Sequence, residues 1–380
     1  MTTVLEARQG EHRYEVRIGP DALQPLASLA GGHDSVAVIS AARVLRTPVA
    51  RRSLTALSRS RPVALVHALP DGERGKTLRE VERAAAALLR AGGTRRSLVV
   101  AIGGGAVTDA AGFVAATFMR GIGWVAIPTT LLAMVDAAIG GKTGVNLPTM
   151  KNAVGAFHPP RAVLADPAAL DTLPPRELRS GLGEVLKYGA LEPGLLGRVT
   201  GLGGRAPGAE LLAACARAKV EIVARDPLER GERKLLNLGH TFGHGVEAAG
   251  GFERFTHGEA VAIGTAFAFR LAALLGRIGP LAVAEMEEAI AGMGLPVRLE
   301  PAEARRASAL MATDKKRTAA GLRWVLPRAA GGAWTVEWDV PAGADAVAEA
   351  VRQVSASTPA RARRRGGMMR YRQRSRGGAR

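Results

Sequence analysis

Short apolar runs of strand length alternate with segments of helical period through the first 173 residues, and at Pro174-Pro175 the alternation stops. "SVAVIS" (35–40), "PVALVHAL" (62–69), "SLVVAIGGG" and "GWVAIPTT" are runs of the kind that fill a parallel sheet covered on both faces. Between them lie "KTLREVERAAAALLRAG", an amphipathic helix closed by Gly92, and "TDAAGFVAATF", a second helix. Strands linked by helices favour an open, mostly parallel, Rossmann-like sheet. Ahead of it, "TVLEAR" and "RYEVRIG" around "QGEH" read as a hairpin. Beyond the prolines the patterns are helical at 176–190, 208–225, 235–249, 257–276 and 280–292, with one late hairpin, "GLRWVLP" and "AWTVEWDV". The expectation is an α/β N-terminal domain (1–173), a mainly α-helical C-terminal domain (174–350) and an active site in the cleft between them.

Composition narrows the class. The 380 residues are 47% apolar, enough for two cores, yet no uncharged apolar run reaches membrane-span length. The N-terminal "MTTVLEARQGEHRYEVRIG" lacks the apolar centre of a secretory signal, and a single cysteine, Cys215 on an apolar helix, excludes an internal disulfide framework. A cytoplasmic protein is expected. The segment from Arg352 to Arg380 holds ten arginines and no acidic residue, more than half of the net charge of +18. Residues 351–380 therefore read as a disordered Arg-rich tail. Such a tail can bind RNA or an anionic surface non-specifically, though a solvated extension is the simpler reading.

"DAAIGGKTGVN" (136–146) imitates a nucleotide-triphosphate loop, but the position that must be the first glycine is Asp136, and "LLAMVDAA" before it reads as a short helix rather than a strand. Lys142 needs another purpose. "AIGGGAVTDAAGF" (101–113) joins a strand to a helix through three glycines, which lets backbone N–H groups approach a phosphate. Without the G-x-G-x-x-G spacing, a plain tight turn stays open. Asp71 or Glu73 in "PDGERGK" can accept from ribose hydroxyls, or be an ordinary polar turn, and "PTT" (128–130) ends a third strand. Three such strand ends outline the crevice of a doubly wound sheet.

"NLGHTFGHGVE" places His240 and His244 at i and i+4, and His257 follows in "FTHGEA". Imidazoles so spaced suit Zn²⁺, or are core histidines hydrogen-bonded among helices. The residue after His240 is Thr241, so this is not the H-E-x-x-H of a metalloprotease. Glu184 in "SGLGEVLKYG" is a candidate carboxylate, with Lys187 one turn further on the same face. Lys151, Lys219, Arg233, Lys315 and Lys316 sit beside glycines, Asn152, Asn237 or apolar runs, an unusual setting for solubilising charge.

Taken in order, "PDGERGK", "GGGAVTDAAGF", "PTTLLAMVDAAIGGKTGVN", "KNAVGAFHPP", "TLPPRELRSGLGEVLKYG", "LLNLGHTFGHGVE", "HGEAVAIG" and "TDKKR" resemble the 3-dehydroquinate synthase family over about residues 1–350. The resemblance implies an NAD- and metal-dependent lyase that converts 3-deoxy-D-arabino-heptulosonate 7-phosphate to 3-dehydroquinate and phosphate, in the shikimate route to aromatic amino acids. Glu184, His240 and His257 match the family's ligands for Zn²⁺ or Co²⁺. Asp71, Glu73, Lys76, the loop Gly104, Gly105, Ala106, Val107, Thr108 and Asp109, then Thr129, Thr130, Lys142 and Lys151 match NAD-contacting motifs. Asp136, Lys142, Asn152, Lys187, Lys219, Arg233, Asn237 and His244 match the substrate pocket. One of Lys315 and Lys316, preferably Lys315, matches a phosphate-binding lysine. Arg120 in "TFMRGI" matches an arginine that reaches the neighbouring subunit's site, which implies a homodimer. Thr108 stands where many members have glycine, "VDAAIGG" has alanines where serines are common, and the tail lies outside the pattern. Rivals with the same fold are cyclases such as aminodehydroquinate, valiolone or deoxy-inosose synthases. Lys219 and Arg233, read as a carboxylate-binding pair, favour the first reading over those whose substrate has no carboxylate.

Overall fold

The structure is a computed structural model, described for residues 1–148, 150–311, 317–318 and 321–355. Nine strands and four helices come first: β1 (Thr3–Gln9), β2 (His12–Ile18), α1 (Leu26–Gly31), β3 (Val36–Ala41), α2 (Pro48–Ser58), β4 (Val63–Leu69), α3 (Leu78–Arg90), β5 (Leu98–Gly103), α4 (Gly105–Thr117), β6 (Gly123–Pro128), β7 (Lys142–Leu147), β8 (Met150–Phe157) and β9 (Ala162–Ala165). Seven of the strands form one sheet, in the order β1-β2-β9-β6-β5-β3-β4. Only the β1–β2 hairpin is antiparallel. The chain steps outward from β3 to β4 and then returns past β3 to β5. Direction therefore reverses between β3 and β5, and the crevice at their carboxyl ends is where a doubly wound sheet places a ligand.

β3, β5 and β9 are buried along their whole length, as a sheet covered on both faces requires. β4, expected to be equally buried, instead alternates half-buried and exposed residues, because it is the edge of the sheet. The β7–β8 hairpin and β9 had no clear sequence signal. "KTGVN" is rich in glycine and polar residues, and β8 has no buried residue.

The second half is helical: α5 (Pro175–Leu191), α6 (Pro193–Thr200), α7 (Ala209–Arg225), α8 (His240–Ala249), α9 (His257–Leu274), α10 (Pro280–Gly292), α11 (Pro301–Met311) and α12 (Ala344–Val354). The late hairpin is present as β11 (Gly321–Ala330) and β12 (Ala333–Pro341), with a short β10 (Arg317–Thr318) beside β11. Two expectations are corrected. The single helix over 235–249 is broken: a 3₁₀ segment, Glu232–Asn237, ends before Gly239, whose φ of 77° turns the chain into α8. Helix α12 runs to Val354, inside the segment 351–380 expected to be disordered, and residues 356–380 lie outside the described residues.

Around α9 the backbones touch. A Cβ on Gly258 would lie 1.7 Å from the Ser180 carbonyl oxygen of α5, and one on Gly264 would lie 1.9 Å from the Gly239 carbonyl oxygen at the head of α8. No side chain fits in either gap. Gly258→Ala should therefore cost about 3 kcal/mol or more, the upper range for forced overpacking. Gly194→Ala, where a Cβ meets nothing within 4 Å, should leave stability unchanged or raise it slightly. Urea midpoints of the two variants check this.

Candidate active site

The three backbones that meet at α9 each bring one ligand-type side chain. Glu184 lies mid-α5, one residue after Gly183; His240 opens α8 directly after Gly239; His257 opens α9 directly before Gly258. Thr256 caps α9, its hydroxyl accepting from the Glu259 N–H while the Glu259 carboxylate accepts from the Thr256 N–H, which fixes the start of the helix at His257. One donor atom from each of Glu184, His240 and His257 lies within 4.8 Å of the others. Glu184 Oε1 is 3.2 Å from His257 Nε2 and 3.4 Å from His240 Nε2. The far nitrogen of each ring is held: His240 Nδ1 by the Leu238 carbonyl at 3.0 Å, His257 Nδ1 by Glu247 Oε2 at 3.4 Å.

This donor set fits a divalent metal. Both Nε2 atoms face the carboxylate while both Nδ1 atoms face acceptors, the arrangement that orients histidine ligands. Burial pushes His240 down to about 4, so it is neutral and ready to ligate. Burial opposes charge on His257 too, but hydrogen bonds to Glu184 and Glu247 raise it to about 10. A metal bound at Nε2 would take the place of a proton there. His244 is exposed, its ring 5.7 Å from His240 and outside the three-ligand cluster.

Next to the ligands lies a buried ionic network. Lys187 Nζ is 2.5 Å from Glu184 Oε2 and 3.3 Å from Asp136 Oδ1, and Lys219 Nζ is 2.9 Å from the same Asp136 oxygen and donates to the Asp136 carbonyl at 2.6 Å. The Tyr188 hydroxyl donates to Asp136 at 2.8 Å. Asp136 sits in a π-helical turn, Ala133–Ala137, the short helix expected there. Although burial works against its charge, Lys187 and Lys219 hold the Asp136 carboxyl below the usual range. Burial depresses Lys219 to about 8, with the charges of Lys187 and Arg233 adding to the effect and Asp136 opposing it.

Arg233 is 1% exposed, and its NH1 and NH2 donate to the Pro227 and Gly140 carbonyls at 2.6 and 2.8 Å. Two donors of the fork thus brace the loop after Asp136, while its buried Nε has no acceptor among the described residues. Lys142 begins β7, not a helix, which disposes of the nucleotide-triphosphate reading. Its ammonium pairs with Glu229, whose other oxygen accepts from Asn237 Nδ2 at 2.6 Å.

At the carboxyl ends of the sheet, α4 starts at Gly105 with no side-chain cap; the Val107 and Thr108 N–H groups donate to the Gly104 carbonyl, and those of Gly105 and Ala106 are left for an anion. Gly104 lies against Thr130, whose hydroxyl accepts from the Ala133 N–H, and Thr129 N donates to the Gly103 carbonyl. Ala106 and Val107 continue that first turn, and the Thr108 hydroxyl donates back to the Gly105 carbonyl, so it turns onto its own helix. Lys76 Nζ is 2.5 Å from Asp109 Oδ2 and also pairs with Asn152, Asp71 pairs with Arg43 at 3.3 Å, and Glu73 accepts from Asn146 at 2.6 Å. Asn152 thus shares the Lys76 ammonium with Asp109.

The N-terminal domain profile of 3-dehydroquinate synthase matches residues 66–180, and the C-terminal profile matches residues 181–317. A 3-dehydroquinate synthase of Thermosynechococcus vestitus is 41% identical over 87% of this chain and 94% of its own length. The chain belongs to the 3-dehydroquinate synthase family. Another 3-dehydroquinate synthase, from Xanthomonas axonopodis pv. citri, is 48% identical over 74% of this chain and 80% of its own length. Among solved structures, a 2-epi-5-epi-valiolone synthase from Streptomyces hygroscopicus with NAD⁺ and Zn²⁺ bound is 29% identical, with a TM-score of 0.80 over 92% of this chain and 98% of that one.

Within this 3-dehydroquinate synthase framework, four residues escaped the sequence reading. Glu229 links Lys142 to Asn237, Tyr188 and Arg43 hold Asp136 and Asp71, and Glu247 backs a candidate ligand. Glu247 had a signal: seven residues after His240, it shares that residue's face of α8. Glu229 had none, since its loop has no period; its φ of 59° is a left-handed conformation that only the fold reveals. Arg120 is exposed on the α4–β6 turn with a φ of 68°. Lys315 and Lys316 lie outside the described residues. His240→Ala removes one of three candidate ligands and should lose most bound metal after chelation and dialysis; atomic emission of the dialysed protein checks it.

Proposed function

We propose that the site turns 3-deoxy-D-arabino-heptulosonate 7-phosphate into 3-dehydroquinate and phosphate, as a lyase using NAD and one Zn²⁺ or Co²⁺. The observation that carries this reading is the convergence of Glu184, His240 and His257 on one point beside a buried network of charged side chains. Glu184, His240 and His257 would hold the metal, and the first turn of α4 with Lys76, Asp109, Thr129 and Thr130 would cradle the dinucleotide. When bound, the metal supplies Lewis acidity to a substrate hydroxyl and the nicotinamide a reversible hydride acceptor.

The chain's own groups divide the remaining work. Lys187 engages Glu184 Oε2, which leaves Oε1 for the histidine side. Lys219 and Arg233 put positive charge on either end of the 136–140 loop, where a substrate carboxylate would lie. Lys142 is half exposed at the mouth, placed to neutralise an incoming phosphate. Arg120 at the surface fits a role completed by a second subunit, and a cytoplasmic homodimer is the expectation for this chain. Phosphate should be released in proportion to substrate consumed, with no accumulation of NADH absorbance; stoichiometric NADH would instead indicate a dehydrogenase.

A valiolone-type cyclase is the competing reading, favoured by the fold match to such an enzyme. Its heptulose substrate has no carboxylate, so Arg233 discriminates. Arg233→Ala should lower kcat/KM on the carboxylate substrate by roughly 30-fold to several thousand-fold, corresponding to about 2–5 kcal/mol for stranding a charged partner. Arg233→Lys should also suffer, because a point charge cannot replace the fork. Thermal melts and metal content must match wild type for the comparison to count, since Arg233 also braces two carbonyls. Lys219 adds a pH signature. Its ammonium is present below pH about 8 and lost above it, so kcat/KM should fall on the alkaline side, and Lys219→Arg should move that limb upward.

A further inference from the structure

Adjacent residues of β8 bind in different directions. Asn152, in the left-handed conformation with φ of 53°, pairs with Lys76 beside Asp109 in the cofactor crevice. Lys151, immediately before it, reaches out of the α/β domain to α8, where its Nζ lies 3.0 Å from Glu247 Oε1 and 4.5 Å from the centre of the Phe252 ring. Glu247 is 4% exposed, and its second oxygen lies 3.4 Å from His257 Nδ1. His257 Nε2 then meets Glu184 at 3.2 Å. A continuous chain thus runs from a strand of the first domain, through a buried carboxylate, to a ligand of the second.

We propose that Glu247 is a positioning residue for the metal, fixing the His257 ring through Nδ1, and that Lys151 anchors Glu247 from the opposite domain. This rests on the metal-site reading above. The carboxylate bonds the nitrogen that points away from the cluster, so Glu247 acts through His257 and is not a fourth ligand. A carboxylate at that nitrogen selects the tautomer whose Nε2 lone pair faces the metal and makes it a better donor. Lys151 contributes by keeping Glu247 from turning: one oxygen is held by the ammonium while the other stays on the ring. A lysine assigned by family resemblance to the cofactor thereby also bears on metal affinity.

The test uses the full chain with Co²⁺ alone, without dinucleotide or substrate, titrated by visible absorption and by competition with a chelator. Glu247→Gln keeps the shape and loses the charge, and should weaken Co²⁺ binding by about 10- to 100-fold, the usual range for such outer partners. It should also alter the ligand-field bands, which a merely structural substitution would leave in place. Lys151→Met should weaken binding by roughly twofold or more in the wild-type background and have no effect in the Glu247→Gln background, as expected if the two act in series. Wild-type affinity and spectrum in Glu247→Gln, while His240→Ala has lost its metal, would overturn the proposal and leave the metal site standing. Tighter binding in Lys151→Met would mean that Lys151 only repels the cation, and would overturn its anchoring role. If Glu247→Gln fails to fold, Lys151→Met on its own decides the anchoring by the direction of its effect. A wild-type chain that takes up no Co²⁺ would sink the metal reading and this proposal together.

Discussion

Backbone contact between α5, α8 and α9 is the constraint on which the site rests. A carboxylate and two imidazoles have short side chains, so three helices can share one ion only if their axes lie unusually close. Gly258 and Gly264 permit that approach, and the candidate ligands sit beside the contacts: Glu184 and His257 flank the α5–α9 crossing, and His240 follows the glycine that meets α9. Catalytic geometry and helix packing are therefore one problem here.

The charged groups so enclosed are costly to bury, and a hydrophobic replacement of similar volume would often be as stable. Asp136, Glu184, Lys187 and Lys219 survive dehydration because each has at least one partner of opposite sign, and because Tyr188 and the Asp136 carbonyl satisfy further bonding capacity. The arrangement is close to balanced by itself. Adding a divalent cation at one end and anionic ligand groups at the other preserves that balance. That is the property expected of a site that must hold a polyanion without being torn open when the polyanion is absent.

Legibility from sequence followed physical periodicity. β3, β5 and α3 were readable because buried strands and amphipathic helices leave repeating marks. The β7–β8 hairpin was not, since a strand pair lying over a crevice needs neither apolar alternation nor a buried face. The three candidate ligands were nameable from the run of histidines together with family resemblance, but the spacing alone left Glu184 as one carboxylate among several. What no pattern conveyed was partner choice. Arg233 could be recognised as an unusual arginine, yet only the folded chain shows that two of its donors are spent on the Pro227 and Gly140 carbonyls.

The π-helical turn at Ala133–Ala137 has a consequence for how such a site can be altered. In that turn the Ala138 N–H reaches back to the Ala133 carbonyl, five residues away instead of four, so the turn holds one residue more than an α-helix would. The extra residue rotates Asp136 toward Lys187 and Lys219. Deleting one alanine would let the segment relax into a regular helix and swing the carboxylate by about 100°, the angle per residue of a 3.6-residue turn. Every charged side chain would still be encoded, and the network would be gone. Part of the active site is thus stored as a length of chain, out of reach of any comparison that scores side chains alone.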